Sequence, residues 1–286
     1  PLITDAAFPN KAAEGKIENI RYCVTCNSCW RSIIEAGALA CDNNPKVGEP
    51  DEHFVAPPAV TSRRHVAIVG TGVAALEAAH TAAARGHKVT LLGDHDAFGG
   101  KTRLHAQMPG GENLSSVYDY QCLKAQQLGV KFELGRQARI EDVLSCDPDV
   151  VLLATGSRSA RPGWLPEDWF AQGLIPSLRD MAKQLTQGMG RAPGRAIIVD
   201  QDHTEMTYAT ALRMATYFDQ MTLVTSRERF ANDVSLINRQ GILKRLFENH
   251  VELICHVEPE GVTELKEGQF ALRNVYNGAL ETLDSV

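Results

Sequence analysis

His65-Val66-Ala67-Ile68-Val69, followed at once by Gly70-Thr71-Gly72-Val73-Ala74-Ala75, is the stretch on which the fold turns. A short apolar run bounded by glycines reads as a buried strand. The alanine-rich run behind it reads as a helix continuing to about Arg85, with Gly86 placed to end it. Lys88-Val89-Thr90-Leu91-Leu92 reads as a second strand, giving the strand–helix–strand unit from which parallel sheets are built. The glycine spacing between strand and helix is that of a dinucleotide fingerprint. Gly70 permits the tight turn and Gly72 lets backbone approach a pyrophosphate. Ala75, an allowed variant of the third glycine, keeps helix and sheet close. Val73 and Ala74 open the helix, whose N–H groups and positive dipole end suit phosphate.

An acidic residue that takes a ribose hydroxyl usually ends the second strand. Here Gly93 stands at that place and Asp94 follows one residue later. Downstream, Phe98-Gly99-Gly100-Lys101 offers another close-approach glycine pair. A helix over Ser115–Leu128 and a strand over Val130–Leu134 come next. Asp149-Val150-Val151-Leu152-Leu153 reads as a buried strand running into the small-residue turn Ala154-Thr155-Gly156. The candidate nucleotide contacts are therefore Gly70, Gly72, Val73, Ala74, Ala75, Asp94, Gly99, Gly100, Lys101, Thr155 and Gly156.

Residues 161–194 read as a crossover with a helical piece near Leu178–Gln187. A second, similar unit then starts at Arg195-Ala196-Ile197-Ile198-Val199. It continues through a helix from about Thr207 to Phe218, a strand Met221–Thr225, a helix Leu236–Asn249 and a strand Val251–His256. In place of the glycines it carries Asp200-Gln201-Asp202-His203-Thr204-Glu205. Acids suit a helix N-terminus, but they repel a dianionic ligand and block close backbone approach. Asp200 and Asp202 read as a solvated cap, with the nicotinamide-type fold kept and its binding chemistry missing.

Ahead of both units runs Cys23-Val24-Thr25-Cys26-Asn27-Ser28-Cys29-Trp30, with Cys41 eleven residues after Cys29. Four thiols in so short a stretch read as a cage for a metal centre. Zinc sites generally use two separated Cys-x2-Cys pairs, which makes structural zinc the lesser reading. Cys122, Cys146 and Cys255 read as small core residues, and Trp30 as packing beside the cage. Residues 42–62, with Asn43-Asn44-Pro45, Gly48, Pro50 and Pro57-Pro58, are turn-rich and would wrap the cage. Residues 1–22 read as a connector with a short helix over Asn10–Gly15.

The expected architecture is thus α/β: two Rossmann-like three-layer units behind a small loop-rich segment. Its divisions fall at residues 1–62, 63–160, 161–194 and 195–286. The 286 residues suffice for well-formed cores, and 44% hydrophobic with 22% charged residues is the composition of a globular protein. The formal charge of −6 and the lack of a basic run argue against nucleic acid. No apolar stretch approaches the roughly 18 residues of a membrane span, and no signal-peptide pattern is read in the opening residues. Seven cysteines, odd in number and partly at ligand spacing, fit a reducing cytoplasm better than a disulfide framework. The chain opens on Pro1 and closes at Asp284-Ser285-Val286 in a strand-and-loop pattern, which reads as a segment of a longer polypeptide.

The cysteine pattern, followed by Asn44-Pro45 and Gly48-Glu49, resembles the iron–sulfur segment of a family of two-part flavoenzymes. These join an old-yellow-enzyme-type FMN barrel to a nucleotide-binding half, as in trimethylamine dehydrogenase and 2,4-dienoyl-CoA reductase. The resemblance extends upstream through Pro9-Asn10-Lys11 and Glu14-Gly15. Downstream it runs through Gly70-x-Gly72, Gly99-Gly100 and Ala154-Thr155-Gly156. It implies a [4Fe–4S] cluster on Cys23, Cys26, Cys29 and Cys41, and FAD or ADP at Gly70–Ala75. It places FMN in a barrel N-terminal to Pro1, on the same chain or a separate subunit. The reductases of that family bind NADPH at a glycine-bearing second unit, whereas the amine dehydrogenases pass electrons to an electron-transfer flavoprotein or similar carrier. The acids over Asp200–Glu205 put this chain on the amine-dehydrogenase side. The alternatives are an NAD(P)H-dependent enoate or dienoyl-CoA-type reductase and a non-catalytic electron-transfer subunit. Substrate and oligomeric state stay open.

Overall fold

The computed structural model describes residues 2–50, 52, 59–284 and 286. Pro57 and Pro58 of the turn-rich wrap therefore lie outside the described residues. The chain divides into two compact units, residues 1–106 with 112–157 and residues 107–111 with 158–286.

The first unit begins with α1 (Phe8–Ala13) and α2 (Ser28–Ala36). Then follow β1 (His65–Val69), α3 (Val73–Ala84), β2 (Lys88–Leu92), α4 (Gly100–Ala106), α5 (Ser115–Gln127), β3 (Lys131–Glu133), α6 (Ile140–Ser145) and β4 (Val150–Leu153). The strands form one parallel sheet in the order β3-β2-β1-β4. Its central strand β1 buries Val66, Ala67 and Ile68, and α3 buries Ala75, Leu76 and Ala79 in the same core. Alanines at these positions allow the helix to lie close to the sheet, while Ile68, Leu76 and Leu91 each contribute about 2 kcal/mol of apolar burial. Gly86, at φ +97°, ends α3 by donating its N–H to Ala83 O at 2.9 Å.

The run over residues 149–153 pairs with β1, but it is not the buried strand expected. β4 stands at the sheet edge, and Leu153 is 78% exposed. An apolar run carries the tendency to extend and pair; it does not say how many faces the rest of the fold will cover. The helix expected over Asn10–Gly15 starts earlier, because Pro9 is tolerated in a first turn and Gly15, at φ +72°, lies past the end.

The second unit contains α7 (Glu167–Gln172), α8 (Leu178–Gln187), β5 (Ala192–Val199), α9 (Glu205–Met214), β6 (Phe218–Val224), α10 (Leu236–Glu248) and β7 (Glu252–Ile254). After them come β8 (Val257–Pro259), β9 (Gln269–Asn274) and β10 (Leu280–Asp284). β5, β6 and β7 form a parallel sheet in that order, and the last three strands an antiparallel ribbon ordered β10-β9-β8. Leu185, Tyr208, Leu212, Met221, Leu223, Ile242 and Leu246 make its main core. Ser177 and Ser235 cap α8 and α10, accepting the N–H groups of Asp180 and Asn238 at 3.3 and 3.4 Å. The helix expected over residues 207–218 is displaced. Tyr217 N–H turns back to Met214 O at 2.8 Å, so Phe218 opens β6 instead of closing α9. Among the described residues no helix is long and apolar enough to cross a membrane.

Candidate nucleotide site and cysteine segment

The carboxyl ends of β1 and β4 bring three glycine-bearing stretches together. Gly70 holds φ +133°, and a Cβ there would sit 2.2 Å from Ala154 O. The turn Ala154-Thr155-Gly156 therefore packs on Gly70 with no room for a side chain. The second stretch meets the first backbone to backbone. Gly99 N–H donates to Thr71 O at 2.9 Å, Gly72 and Gly99 form an isolated bridge, and a Cβ on Gly100 would meet Gly72 Cα at 3.2 Å. The Gly99-Gly100 pair thus packs backbone to backbone on the turn that opens α3.

Gly72 differs from its neighbours. Its φ of −76° is open to any residue, and a Cβ there would meet nothing within 4 Å. As the N-cap of α3 it leaves an unfilled cradle at a helix N-terminus, which is the space an anionic phosphate requires. Lys101 reaches across to donate to Ser157 Oγ at 3.2 Å, beside Gly156. Asp94 is exposed and lies 3.7 Å from His95 Nε2. The displacement of that acid has a steric cause. A Cβ at Gly93, the residue after β2, would lie 2.1 Å from Cγ2 of buried Thr71, so a side chain there would force Thr71 to move.

The corresponding turn of the second unit is built the opposite way, and Asp200 corrects the reading of a solvated cap. Asp200 is 2% exposed and His203 is fully buried. Tyr208 O–H donates to Asp200 Oδ2 at 2.5 Å, and His203 N–H to Oδ1 at 2.9 Å. Ala231 N–H donates to Tyr208 Oη at 2.5 Å, and His203 Nε2 lies 3.2 Å from Thr225 Oγ1. Burial raises the Asp200 carboxyl above the ordinary aspartate range, against the lowering effect of the Tyr208 and His203 hydrogen bonds. Burial and the adjoining carboxyl likewise raise the Tyr208 phenol. Asp202 does behave as a local cap. It is exposed and accepts Thr204 N–H at 3.1 Å and Thr207 O–H at 2.6 Å. Glu205 accepts from Asn238 Nδ2 at 2.6 Å. His203, at φ +53°, had carried no sequence signal.

In the cysteine segment Thr25 and Asn27 take left-handed φ values of +58° and +56°, uncommon outside glycine. These bends turn amides toward sulfur. Thr25 N–H donates to Cys23 Sγ at 3.4 Å, and Ser28 hydrogen-bonds Cys26 through both backbone and side chain. Burial raises the Cys26 thiol while those Ser28 bonds oppose the rise, and Cys41 is near enough to act on it electrostatically. Amides aimed at sulfur favour the thiolate form that a metal centre takes, and in this respect the donor set fits. Among the described residues, however, no three Cys, His, Asp or Glu side chains stand together as a metal-holding group. Cys29 falls in α2, a helix unforeseen in the sequence. Trp30, on the same helix, is 55% exposed instead of packed. Cys122 and Cys255 pack against the two cores as expected. Cys146 does not; it caps α6 and donates to Asp142 O at 3.5 Å.

Parallel strands whose carboxyl ends gather glycine turns at a helix N-terminus define a nucleotide-binding fold. The chain belongs to the pyridine nucleotide-disulphide oxidoreductase family, whose profile matches residues 64–282. It is 31% identical over 242 residues to a probable N-methylproline demethylase of Rhizobium meliloti (strain 1021), covering 82% of this chain and 34% of that protein. It is 30% identical over 263 residues to a bilirubin reductase of Mediterraneibacter gnavus, covering 92% of this chain and 39% of that one. The histamine dehydrogenase from Rhizobium sp. 4-9 superposes on all of this chain with a TM-score of 0.83 at 25% identity, over 42% of its own length. The chain thus spans about a third to two-fifths of these relatives.

Proposed function

We propose that this chain is the electron-transfer half of an iron–sulfur flavoprotein oxidoreductase. Cys23, Cys26, Cys29 and Cys41 hold a [4Fe–4S] cluster, and the cradle at Gly72 holds the pyrophosphate of FAD or ADP. The substrate is a methylated or primary amine, oxidised at an FMN site on a barrel domain of the same polypeptide or a companion subunit. Electrons leave to an external carrier of the electron-transfer flavoprotein kind. Such a cluster supplies one-electron transfer when bound. The residues present would hold the groups in place. The Thr25 and Ser28 amides stabilise negative charge on sulfur, Gly72 admits phosphate to the N-terminus of α3, and Lys101 stands beside that opening with a positive charge.

The observation that carries the direction of flow is the second turn, where buried Asp200 and Tyr208 take the place of a glycine cradle. Buried side chains thus stand where the phosphates of a pyridine nucleotide would need glycine. The likeness to proteins named as a demethylase, a dimethylamine dehydrogenase and a histamine dehydrogenase supports the amine reading. A second reading, an NAD(P)H-dependent reductase, is favoured by likeness to proteins named cinnamate reductase and bilirubin reductase. Anaerobic addition of NADPH to the flavin-loaded protein separates the two. Flavin colour should persist, and rapid bleaching would assign the reductase. Metal analysis of purified protein tests the cluster: iron is expected, and zinc without iron would remove it.

A further inference from the structure

Arg21 stands two residues before Cys23, and Asn43 two residues after Cys41. Arg21 Nη1 donates to Asn43 O at 2.6 Å, and Asn43 Nδ2 donates back to Tyr22 O at 2.8 Å. These two bonds tie the entrance of the cysteine segment to its exit. The other arm of the same guanidinium reaches α3. Nη2 lies 3.1 and 3.0 Å from the two Glu77 oxygens, and Glu77 also receives Gln121 Nε2 at 2.8 Å. Tyr120 offers its ring face to the guanidinium at 4.6 Å, and the Arg21 backbone N–H donates to buried Asp5 at 2.9 Å. Glu77 is one helical turn beyond Val73, on the helix that starts at the Gly72 cradle.

The Arg21 side chain is only 9% exposed. Burying a guanidinium is costly unless charge and hydrogen-bonding partners offset it, and a lysine has no planar fork to serve two partners at once. We infer that Arg21 is a positioning residue that closes the two ends of the cysteine segment on each other and mounts them on the nucleotide-binding helix. Pre-closure of this kind brings Cys23 and Cys41 within one neighbourhood before any metal arrives.

The test has two arms, of which only the second rests on the cluster reading above. In metal-free protein, the cysteines are alkylated with iodoacetamide and their rates followed by peptide mass. Arg21→Ala should speed Cys26 and Cys41 by about tenfold by letting the segment open, and leave Cys122 and Cys255 at native rates. Arg21→Lys, which keeps the charge without the fork, should not restore protection. Native rates at Cys26 and Cys41 in Arg21→Ala would overturn the inference. If that variant fails to fold, Cys122 and Cys255 will also accelerate. Glu77→Gln, which retains the side-chain shape, then decides. It should speed Cys26 and Cys41 alone, by about threefold, and native rates there would again overturn the inference. In the second arm, iron-loaded Arg21→Ala should release iron to a chelator about ten- to a hundredfold faster than native protein, whereas equal release would count against it. Native protein that takes up no iron would remove the cluster reading, while the thiol rates still decide the role of Arg21.

Discussion

Two turns occupy the same place in their respective sheets. Gly70 N–H donates to Leu92 O at 2.8 Å across β1 and β2, and Asp200 N–H donates to Val224 O at 2.8 Å across β5 and β6. From that shared start they diverge. Three residues separate β1 from α3, whereas five separate β5 from α9. Two of the three residues of the first turn, Gly70 and Gly72, have no side chain, and it ends in an open cradle at Gly72. The second is filled from within by Asp200, His203 and Tyr208, all buried. One backbone plan can therefore present a helix N-terminus to a ligand or consume it internally. The choice lies in which side chains the turn must hold.

The largest effect is expected where the first turn has no tolerance. Gly70→Ala would force a Cβ onto Ala154 O in a backbone region that side chains avoid, and should cost about 4 kcal/mol of stability, measured by urea unfolding. Emptying the second turn should cost less. Asp200→Ala leaves Tyr208 O–H and His203 N–H without their buried acceptor, for about 3 kcal/mol in the same assay. If Asp200→Ala were neutral, the internal filling would not be what holds that turn. Gly72→Asp writes the chemistry of the second turn into the first. Aspartate suits an N-cap and the site has room, so unfolding should be unchanged. Adenine-nucleotide affinity by calorimetry should nevertheless fall by about a hundredfold through charge repulsion.

The smallest effect separates the turns by titration. Burial raises the Asp200 carboxyl in the folded state, so this group binds its proton more tightly there than in the unfolded chain. Its contribution to stability is full below the unfolded aspartate value and is lost as pH rises through the raised folded value. Comparing urea unfolding across that window in native and Asp200→Asn protein should show a flatter profile in the variant. An unchanged slope would mean that Asp200 does not titrate with folding.

Much of this fold is legible in the sequence because local signals agree with tertiary demands. The strands at His65–Val69 and Lys88–Leu92 and the helix at Leu178–Gln187 fall where apolar pattern and flanking glycines put them. Gly70 and Gly72 are legible for the same reason, since glycine at such spacing has few other uses. What stays hidden is set by partners distant in sequence. Asp200 looks solvated beside Asp202 until Tyr208 and the backbone near Ala231 close over it. Gly93 looks like a departure from a motif until the Thr71 methyl is seen above it. Arg21 carries no motif, because its partners Asn43 and Glu77 lie 22 and 56 residues away. β4 looks buried because apolar residues read alike whether a sheet continues beyond them or ends.

The contrast between an open first turn and a closed second one is tested most directly by equilibrium titration of native and Gly72→Asp protein with ADP and with NADPH. The native protein should show one adenine-nucleotide site, and Gly72→Asp should bind both ligands about a hundredfold more weakly while remaining folded. NADPH binding that keeps its native affinity in Gly72→Asp would place a working site at the second turn and contradict the account.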